Sequence, residues 1–180
     1  MTRTKAAIIL GVFILGMVVI LFINRKPQAI NTQVRANPQE KIISGKFDKS
    51  KMKSDAEWKK ILTPDQYHIL REAGTEIPFT GVLDHEARKG TYYSVGCNEP
   101  VFRSEQKYDS GTGWPSFWAP INPGALVLRE DNSIPGEPRT EVLDKCGGHL
   151  GHVFDDGPAP TGKRYCMNSE ALKFVADEKQ

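Results

Sequence analysis

The hydrophobic positions of this chain form three patterns, and the first is an unbroken apolar run over residues 6–23, AAIILGVFILGMVVILFI. A helix of that length spans about 27 Å, close to the ~30 Å hydrocarbon core of a bilayer. Basic residues flank both ends, and no typical cleavage site follows directly. We therefore interpret residues 1–26 as a membrane anchor, with a cleaved signal segment or a buried helix as alternatives. We expect the folded part outside the cytoplasm, in a periplasmic or extracytoplasmic space.

The second pattern is helical spacing of apolar residues, and it follows a polar, basic stretch over residues 27–50 that we interpret as a flexible tether. DAEWKKIL predicts a short helix, with Ser54 or Asp55 as its cap. TPDQYHILREAG predicts a second one, with Thr63 as its cap, Gln66 closing a capping box and Gly74 ending it. Two short helices are therefore expected at the start of the folded part.

The third pattern begins after Gly74, where glycine and proline recur between short apolar runs. TYYSV, PVFRS, ALVLRE, TEVLD and HVFDD are typical of strands, and their connections are too short for helical crossovers. We predict a mainly β domain over residues 51–180, built from twisted antiparallel strands with the short helices beside it.

Charge narrows the classes of partner. Residues 1–50 contain eight Lys or Arg against two Asp or Glu, and residues 51–180 contain sixteen against twenty. The predicted domain is therefore mildly acidic, whereas a protein that binds nucleic acid needs a basic face. We expect no nucleic-acid partner.

Three cysteines and two histidines are the candidates for chemistry. The odd number of cysteines suggests one pair and one remaining thiol, in Cys97, Cys146 and Cys166. Cys166 follows Arg and Tyr, and a nearby cation lowers the pKa of a thiol, although a buried inert cysteine is the ordinary alternative. His149 and His152 lie three apart, and the glycine between them permits a bulge that brings both rings to one side. Structural histidines or half of a metal site are the other interpretations.

Three motifs together resemble a known enzyme family: EAGTEIPFTG, DSGTGWPSF and HLGHVFDDGPAPTGKRYCMNSEALKF. They are similar to the B-type methionine sulfoxide reductases, the peptide-methionine (R)-S-oxide reductases, over about residues 54–174. The resemblance implies a tent-like fold of two twisted antiparallel sheets and the repair of oxidised proteins. A non-catalytic binding module of the same architecture is the alternative function.

The resemblance also implies roles for individual residues. Cys166 corresponds to the nucleophile, and its thiolate would attack the sulfoxide sulfur and become a sulfenic acid. Trp114, with Phe117 beside it, would bind the methyl group of the substrate. The histidines would hydrogen-bond around the sulfoxide oxygen, and three further residues would support the histidines and the thiolate or line the site: Asp156, Arg164 and Asn168.

Two departures from the family pattern change the expected cofactors and partners. Many relatives bind a structural zinc with two Cys-x-x-Cys pairs, but here Ser94 and Leu143 replace the first cysteine of each pair. We therefore predict no zinc and no other tightly bound cofactor, and a disulfide between the remaining Cys97 and Cys146. Thr112 stands where many relatives carry a second catalytic cysteine. An external thiol such as a thioredoxin-like protein is the expected reductant, with Cys97 or Cys146 as the alternative.

Overall fold

A computed structural model describes residues 44–178, which belong to one compact unit. The apolar run 6–23 and most of the predicted tether lie outside the described residues. Within residues 44–178, neither helix has the length and apolar character that crossing a membrane requires.

Both predicted helices are present, and their own end residues cap them. α1 spans Asp55–Ile61 and α2 spans Pro64–Glu72. Each begins with a capping box, formed by Ser54 with the residue three positions later in α1 and by Thr63 in α2. α2 ends one residue earlier than predicted, because Ala73 takes the left-handed conformation that closes the helix.

The described residues contain nine strands that pair only in antiparallel fashion. In chain order they are β1 Gly90–Ser94, β2 Pro100–Arg103, β3 Lys107–Tyr108, β4 Ser116–Phe117, β5 Val127–Asp131, β6 Arg139–Leu143, β7 His149–Phe154, β8 Arg164–Met167 and β9 Leu172–Ala176. One sheet has the order β2-β1-β9 and the other the order β3-β4-β8-β7-β6-β5. The predicted mainly β fold with two antiparallel sheets and short helices is therefore confirmed.

An aromatic cluster joins the two sheets. Phe102 of β2 stacks on Phe117 of β4 with ring centroids 4.2 Å apart, and Tyr92 of β1 meets Phe117 edge-on at 4.9 Å. All three side chains are fully buried. Burial of such rings supplies a large part of the apolar stabilisation of a domain of this size.

The folded domain begins before residue 51. The amide of Gly45 donates to the carbonyl of Leu126, and the amide of Leu128 donates to Ser44 Oγ. Asp48 similarly donates to the carbonyl of Lys145. The described end of the predicted tether, residues 44–50, is thus bonded to the β domain.

Candidate active site

The candidate active site lies on the six-stranded sheet, where β8 runs between β4 and β7. Cys166 of β8 is paired directly with His152 of β7 on one side and with Ser116 of β4 on the other. Directly opposite residues of an antiparallel pair project from the same face of the sheet. The register therefore brings the thiol, one imidazole and one hydroxyl to the same face.

A bulge in β7 brings the second histidine to this place. Val142 of β6 pairs with Gly151, but the next residue, Leu143, pairs with His149, so β7 has one extra residue. A Cβ on Gly151 would lie 2.1 Å from the carbonyl oxygen of Cys166, so the close approach of β8 requires glycine. The rings of His149 and His152 consequently lie with centroids 5.3 Å apart. The bulge that the sequence permitted is present.

Each imidazole is held by a carboxylate that the sequence analysis did not identify. His149 Nδ1 lies 2.8 Å from Glu141 Oε1, and both side chains are buried. His152 Nε2 lies 2.7 Å from Asp131 Oδ2. Carboxylates at these nitrogens fix the ring orientation and stabilise a positive charge on the imidazole. Glu141 also accepts from Arg129.

The protonation of this cluster follows from burial and pairing. Burial alone would raise the pKa of Glu141, but the hydrogen bonds from His149 and Arg129 outweigh it and lower that pKa. Burial lowers the pKa of His152 despite its bond to Asp131. Hydrogen bonds from Ser133 and His152 hold the pKa of Asp131 well below its usual range. The resting site at neutral pH therefore contains two carboxylates and a neutral His152.

The thiol of Cys166 is half-buried and unpaired. Burial raises its pKa, whereas a hydrogen bond from Thr112, the charge of Arg164 and a hydrogen bond from Ser116 act in the opposite direction. The expected lowering of the thiol pKa by the adjacent cation is thus outweighed by desolvation. At neutral pH the resting sulfur is mainly protonated.

A chain of hydroxyl groups connects to this sulfur. Ser110 Oγ lies 2.8 Å from Ser116 Oγ and 2.8 Å from Thr112 Oγ1, which in turn lies 3.9 Å from Cys166 Sγ. Hydroxyls can both donate and accept, so this chain can stabilise a thiolate or pass on a proton. Nothing in the motif DSGTGWPSF indicated that its two serines, Ser110 and Ser116, would form such a chain.

Arg164 and Asp156 form one side of the site but do not contact the histidines. Arg164 donates two hydrogen bonds of 2.8 Å to the exposed Asp156, and its guanidinium lies 4.4 Å from the ring centroid of Phe154. The Asp156 carboxylate is bonded to Arg164, and the expectation that these two residues help to hold the histidines and the thiolate stays a prediction. The effect of Asp156 on the thiol passes through the position of that arginine.

Trp114 and Asn168 are tied to the same backbone segment. Trp114 Nε1 donates to the carbonyl of Glu76 at 3.2 Å, and the amide of Glu76 donates to Asn168 Oδ1 at 3.1 Å. The side-chain amide of the buried Asn168 also donates to the carbonyl of Leu150 at 3.1 Å. Asn168 therefore holds β7 and the Glu76 segment together, while Trp114 is only half-buried.

Phe117 lies elsewhere than predicted. Its ring is fully buried in the aromatic cluster between the sheets, so it packs the core and does not face an open pocket. A cavity of about 400 Å³ lies beside Thr112 and Arg164, but Cys166, Trp114 and the two histidines are not among the residues that line it. Its lining includes Tyr108, Ser110, Thr112, Asp156 and Arg164.

The remaining two cysteines form a disulfide with each other. Cys97 and Cys146 are bonded, with Cα atoms 5.5 Å apart. The buried carboxylate of Asp144 accepts from the amides of Cys97 at 3.2 Å, Cys146 at 2.9 Å and Gly148 at 2.8 Å. Burial raises the pKa of Asp144 against these hydrogen bonds.

The residues at this corner do not fit a structural zinc site. Cys97, Cys146 and Asp144 have their ligand atoms within 4.8 Å of one another. However, zinc needs four ligands with deprotonated sulfurs, and here two sulfurs are bonded to each other while backbone amides occupy the carboxylate. The disulfide therefore uses the two sulfur atoms that a zinc ion would need.

A free thiol with hydroxyl, guanidinium and imidazole neighbours on a two-sheet β fold defines a thiol-based oxidoreductase. The SelR domain profile matches residues 62–176. The chain belongs to the SelR-domain family, whose members are the MsrB peptide methionine sulfoxide reductases. The resemblance inferred from the motifs is confirmed, and the alternative of a non-catalytic module is not supported.

Three relatives illustrate this similarity. The peptide methionine sulfoxide reductase MsrB of Leptospira interrogans is 57% identical over 123 residues, 68% of this chain and 93% of the relative. The Methanosarcina barkeri MsrB is 52% identical over 126 residues, covering 70% and 89%. The chloroplastic peptide methionine sulfoxide reductase B1 of Arabidopsis thaliana is 54% identical over 127 residues, covering 70% and 62%.

Proposed function

We propose that this chain reduces methionine (R)-S-oxide in proteins, with Cys166 as the nucleophile. Its family already makes it an enzyme that reduces methionine sulfoxide in proteins. One observation carries the assignment of the nucleophile: Cys166 lies directly opposite His152, whose ring neighbours that of His149. The thiol and two proton-carrying groups can therefore reach one sulfoxide group together.

The reaction consists of one transfer of oxygen. The Cys166 thiolate attacks the sulfoxide sulfur while an imidazolium protonates the sulfoxide oxygen. The oxygen then passes to Cys166, which is oxidised to a sulfenic acid. The sulfoxide is reduced by two electrons to methionine, which leaves the site. His149 is the candidate proton donor, because its Nδ1 lies 2.8 Å from the buried Glu141 carboxylate, which fixes the orientation of the ring.

The Cys166 thiol is deprotonated only when the substrate is bound. Burial raises the pKa of Cys166, so its proton passes to a neutral imidazole as the substrate binds, and the imidazolium formed in this way donates it to the sulfoxide oxygen. Arg164 and the hydroxyl of Thr112 oppose this shift and stabilise the thiolate when it forms. Protonation of the sulfoxide oxygen by the neighbouring imidazolium makes the sulfoxide sulfur more reactive towards the thiolate.

Preference for one epimer follows from the two unlike sides of the site. Trp114 offers an apolar wall for the methyl group, and the imidazoles offer hydrogen-bond donors for the oxygen. Exchange of the two substituents would place oxygen against indole carbon, which leaves a polar atom without a partner. The two unlike sides select one epimer, and the resemblance to the (R)-S-oxide reductases assigns it as the R epimer.

Regeneration uses an external thiol. Cys97 and Cys146 are bonded to each other, and Thr112 rather than cysteine lies 3.9 Å from Cys166. The first thiol of a thioredoxin-type dithiol, or of two small thiols, attacks the sulfenic acid, forms a mixed disulfide and releases water. The second thiol then displaces the Cys166 thiolate, and the reductant is left as a disulfide. No tightly bound cofactor takes part in this scheme.

The apolar run over residues 6–23 supports a second part of the proposal, attachment to a membrane with the enzyme domain outside the cytoplasm. Export after cleavage of this segment is the alternative. Fractionation of cells, followed by protease treatment of intact spheroplasts, tests it. A membrane-bound chain that is degraded from outside supports the proposal, and a protected chain contradicts it.

Turnover of a peptide containing each epimer of methionine sulfoxide, with dithiothreitol as reductant, tests the reaction. The proposal expects rapid reduction of the R epimer and at least about 10²-fold slower reduction of the S epimer. Equal rates for the two epimers would contradict the assigned geometry.

A further inference from the structure

Two large apolar side chains beside the active site are exposed to solvent. Ile77 and Phe79, in the loop after α2, are 72% and 63% exposed. Neighbouring exposed apolar side chains form a contiguous patch, and such patches can mark a binding site. We call these two side chains, with the loop that carries them, the apolar ridge.

The ridge is held firmly in place despite its exposure. Phe79 has a left-handed backbone conformation, with φ of 66°, that is costly for a bulky residue. Its amide donates to the carbonyl of Gly113 at 2.8 Å, and Thr80 Oγ1 donates to the carbonyl of Ile77 at 2.7 Å. The loop is thus fixed by bonds that aim the two side chains outward.

The ridge is continuous with the wall of the active site. A Cβ on Gly113 would lie 2.8 Å from carbons of the Phe79 ring, so the ring lies across the residue that directly precedes Trp114. Trp114 Nε1 donates to the carbonyl of Glu76, which directly precedes Ile77. A chain that placed its methionine sulfoxide against Trp114 would therefore pass over or beside the ridge.

We propose that the apolar ridge binds the residues next to methionine sulfoxide in an extended protein segment, and that it prefers apolar neighbours. This inference rests on the proposed function, since it deepens the choice of substrate at the same site. Apolar residues become exposed in damaged or unfolded proteins, so the preference would direct repair to such segments.

Two peptides that differ only at the positions flanking methionine (R)-S-oxide test the proposal, one with leucine on both sides and one with serine. Serine is chosen because the nearby Glu76 and Glu170 carboxylates would add a charge effect to an acidic flank. The measured quantity is the ratio of kcat/KM for the leucine peptide to that for the serine peptide. We expect this ratio to be at least about 10 in the full-length protein, from apolar contacts at the binding site.

Phe79→Asn is the main variant, because asparagine tolerates the left-handed conformation and removes the apolar ring. We expect the ratio to fall about tenfold, as for other single apolar contacts at a binding site. Ile77→Thr keeps the branched shape at the second position and is expected to lower the ratio about threefold. Ile61→Asn, at an exposed apolar position of α1, serves as the matched control and leaves the ratio unchanged.

An unchanged ratio in both ridge variants, with thermal unfolding like that of the wild type, would overturn the proposal. If the wild type reduced neither peptide, the proposed function would fail, and calorimetric binding of the same peptides with unoxidised methionine would decide the inference separately. Tighter binding of the leucine peptide that Phe79→Asn abolishes would then support it. Sedimentation that showed a dimer lost in Phe79→Asn would assign the ridge to a second copy and contradict it.

Discussion

The environment of Cys166 and that of the Cys97–Cys146 pair differ in the kind of partner that surrounds the sulfur. Cys166 is half-buried among side chains that can move protons or charge: a hydroxyl of Thr112, the guanidinium of Arg164 and the imidazole opposite. The pair lies in turns whose amides are bound by the buried Asp144. Side-chain partners allow the first sulfur to change its charge and oxidation state.

In the Cys97–Cys146 pair, cysteine stabilises the fold and takes no part in the proposed chemistry. Asp144 binds three backbone amides, including those of both bonded cysteines, and so holds the two turns together independently of the sulfurs. A disulfide in such a setting stabilises the fold by restricting the unfolded chain. Partners, rather than the identity of the residue, therefore decide whether a cysteine serves chemistry or stability.

The largest expected effect comes from removing the reactive sulfur. Cys166→Ser should lower kcat/KM for the R epimer by at least about 10³-fold, because a serine hydroxyl is a far weaker nucleophile at neutral pH. Its thermal unfolding should stay close to that of the wild type. Turnover with dithiothreitol measures the first quantity and calorimetry the second. A variant that kept a tenth of the activity would show that Cys166 is not the essential nucleophile, and its environment would then not differ in function from that of the disulfide.

Removal of the disulfide should have the reverse profile. Cys97→Ser combined with Cys146→Ser should lower the free energy of unfolding by about 4 kcal/mol, from the entropy of a loop that closes over a separation of 49 residues. Activity with dithiothreitol at a temperature below unfolding should persist. Urea unfolding measures the stability. Equal stability of the two proteins would mean that Asp144 alone holds the corner, and lost activity would give the pair a resolving role.

The carboxylate behind His149 offers a sharper test of the active region. Glu141→Gln should slow the single-turnover rate about 10²-fold, because the imidazolium loses the charge that stabilises it. Arg129→Gln is the matched control, since it also removes a bond to Glu141 but leaves the carboxylate beside the imidazole. A rate in Glu141→Gln equal to that of the control would show that His149 transfers no proton.

The smallest effect concerns the pH dependence of the thiol. Burial raises the pKa of Cys166, so the thiolate fraction and the alkylation rate should still be rising above the ordinary cysteine value of about 8.5. Arg164→Met should raise the pKa further and slow alkylation at neutral pH about fivefold, because a stabilising positive charge is lost. Iodoacetamide labelling followed by mass spectrometry measures both. A plateau below pH 7 would mean that the charge of Arg164 outweighs burial.

The parts of the fold that depend on nearby residues could be predicted from the sequence. Both helices were predicted, because Ser54 and Thr63 each cap a helix through a residue three positions later. β3 and β4 could not be predicted from the sequence, since each has two residues and exists only through pairing with its neighbours in the sheet. Long-range pairing leaves little pattern in so short a segment.

The same division holds in the active site. Gly151 lies between the two histidines, so the bulge that joins them could be predicted locally. Glu141 and Asp131 lie 8 and 21 positions from the histidines they bind, on other strands. Phe117 was assigned to the substrate because its motif is aromatic, but residue type alone does not distinguish a pocket wall from a core contact. Only the register of the strands decides these cases.

The central claim is that oxygen passes from the substrate to the sulfur of Cys166. The direct test uses protein in which Cys166 is a free thiol and the Cys97–Cys146 disulfide is formed. This protein is mixed with one equivalent of a peptide containing methionine (R)-S-oxide, without reductant, and is then digested in the presence of dimedone. The account predicts one equivalent of methionine and a dimedone adduct on Cys166, with the Cys97–Cys146 disulfide intact. Formation of methionine while Cys166 stays unmodified, or with the adduct on another residue, would contradict it.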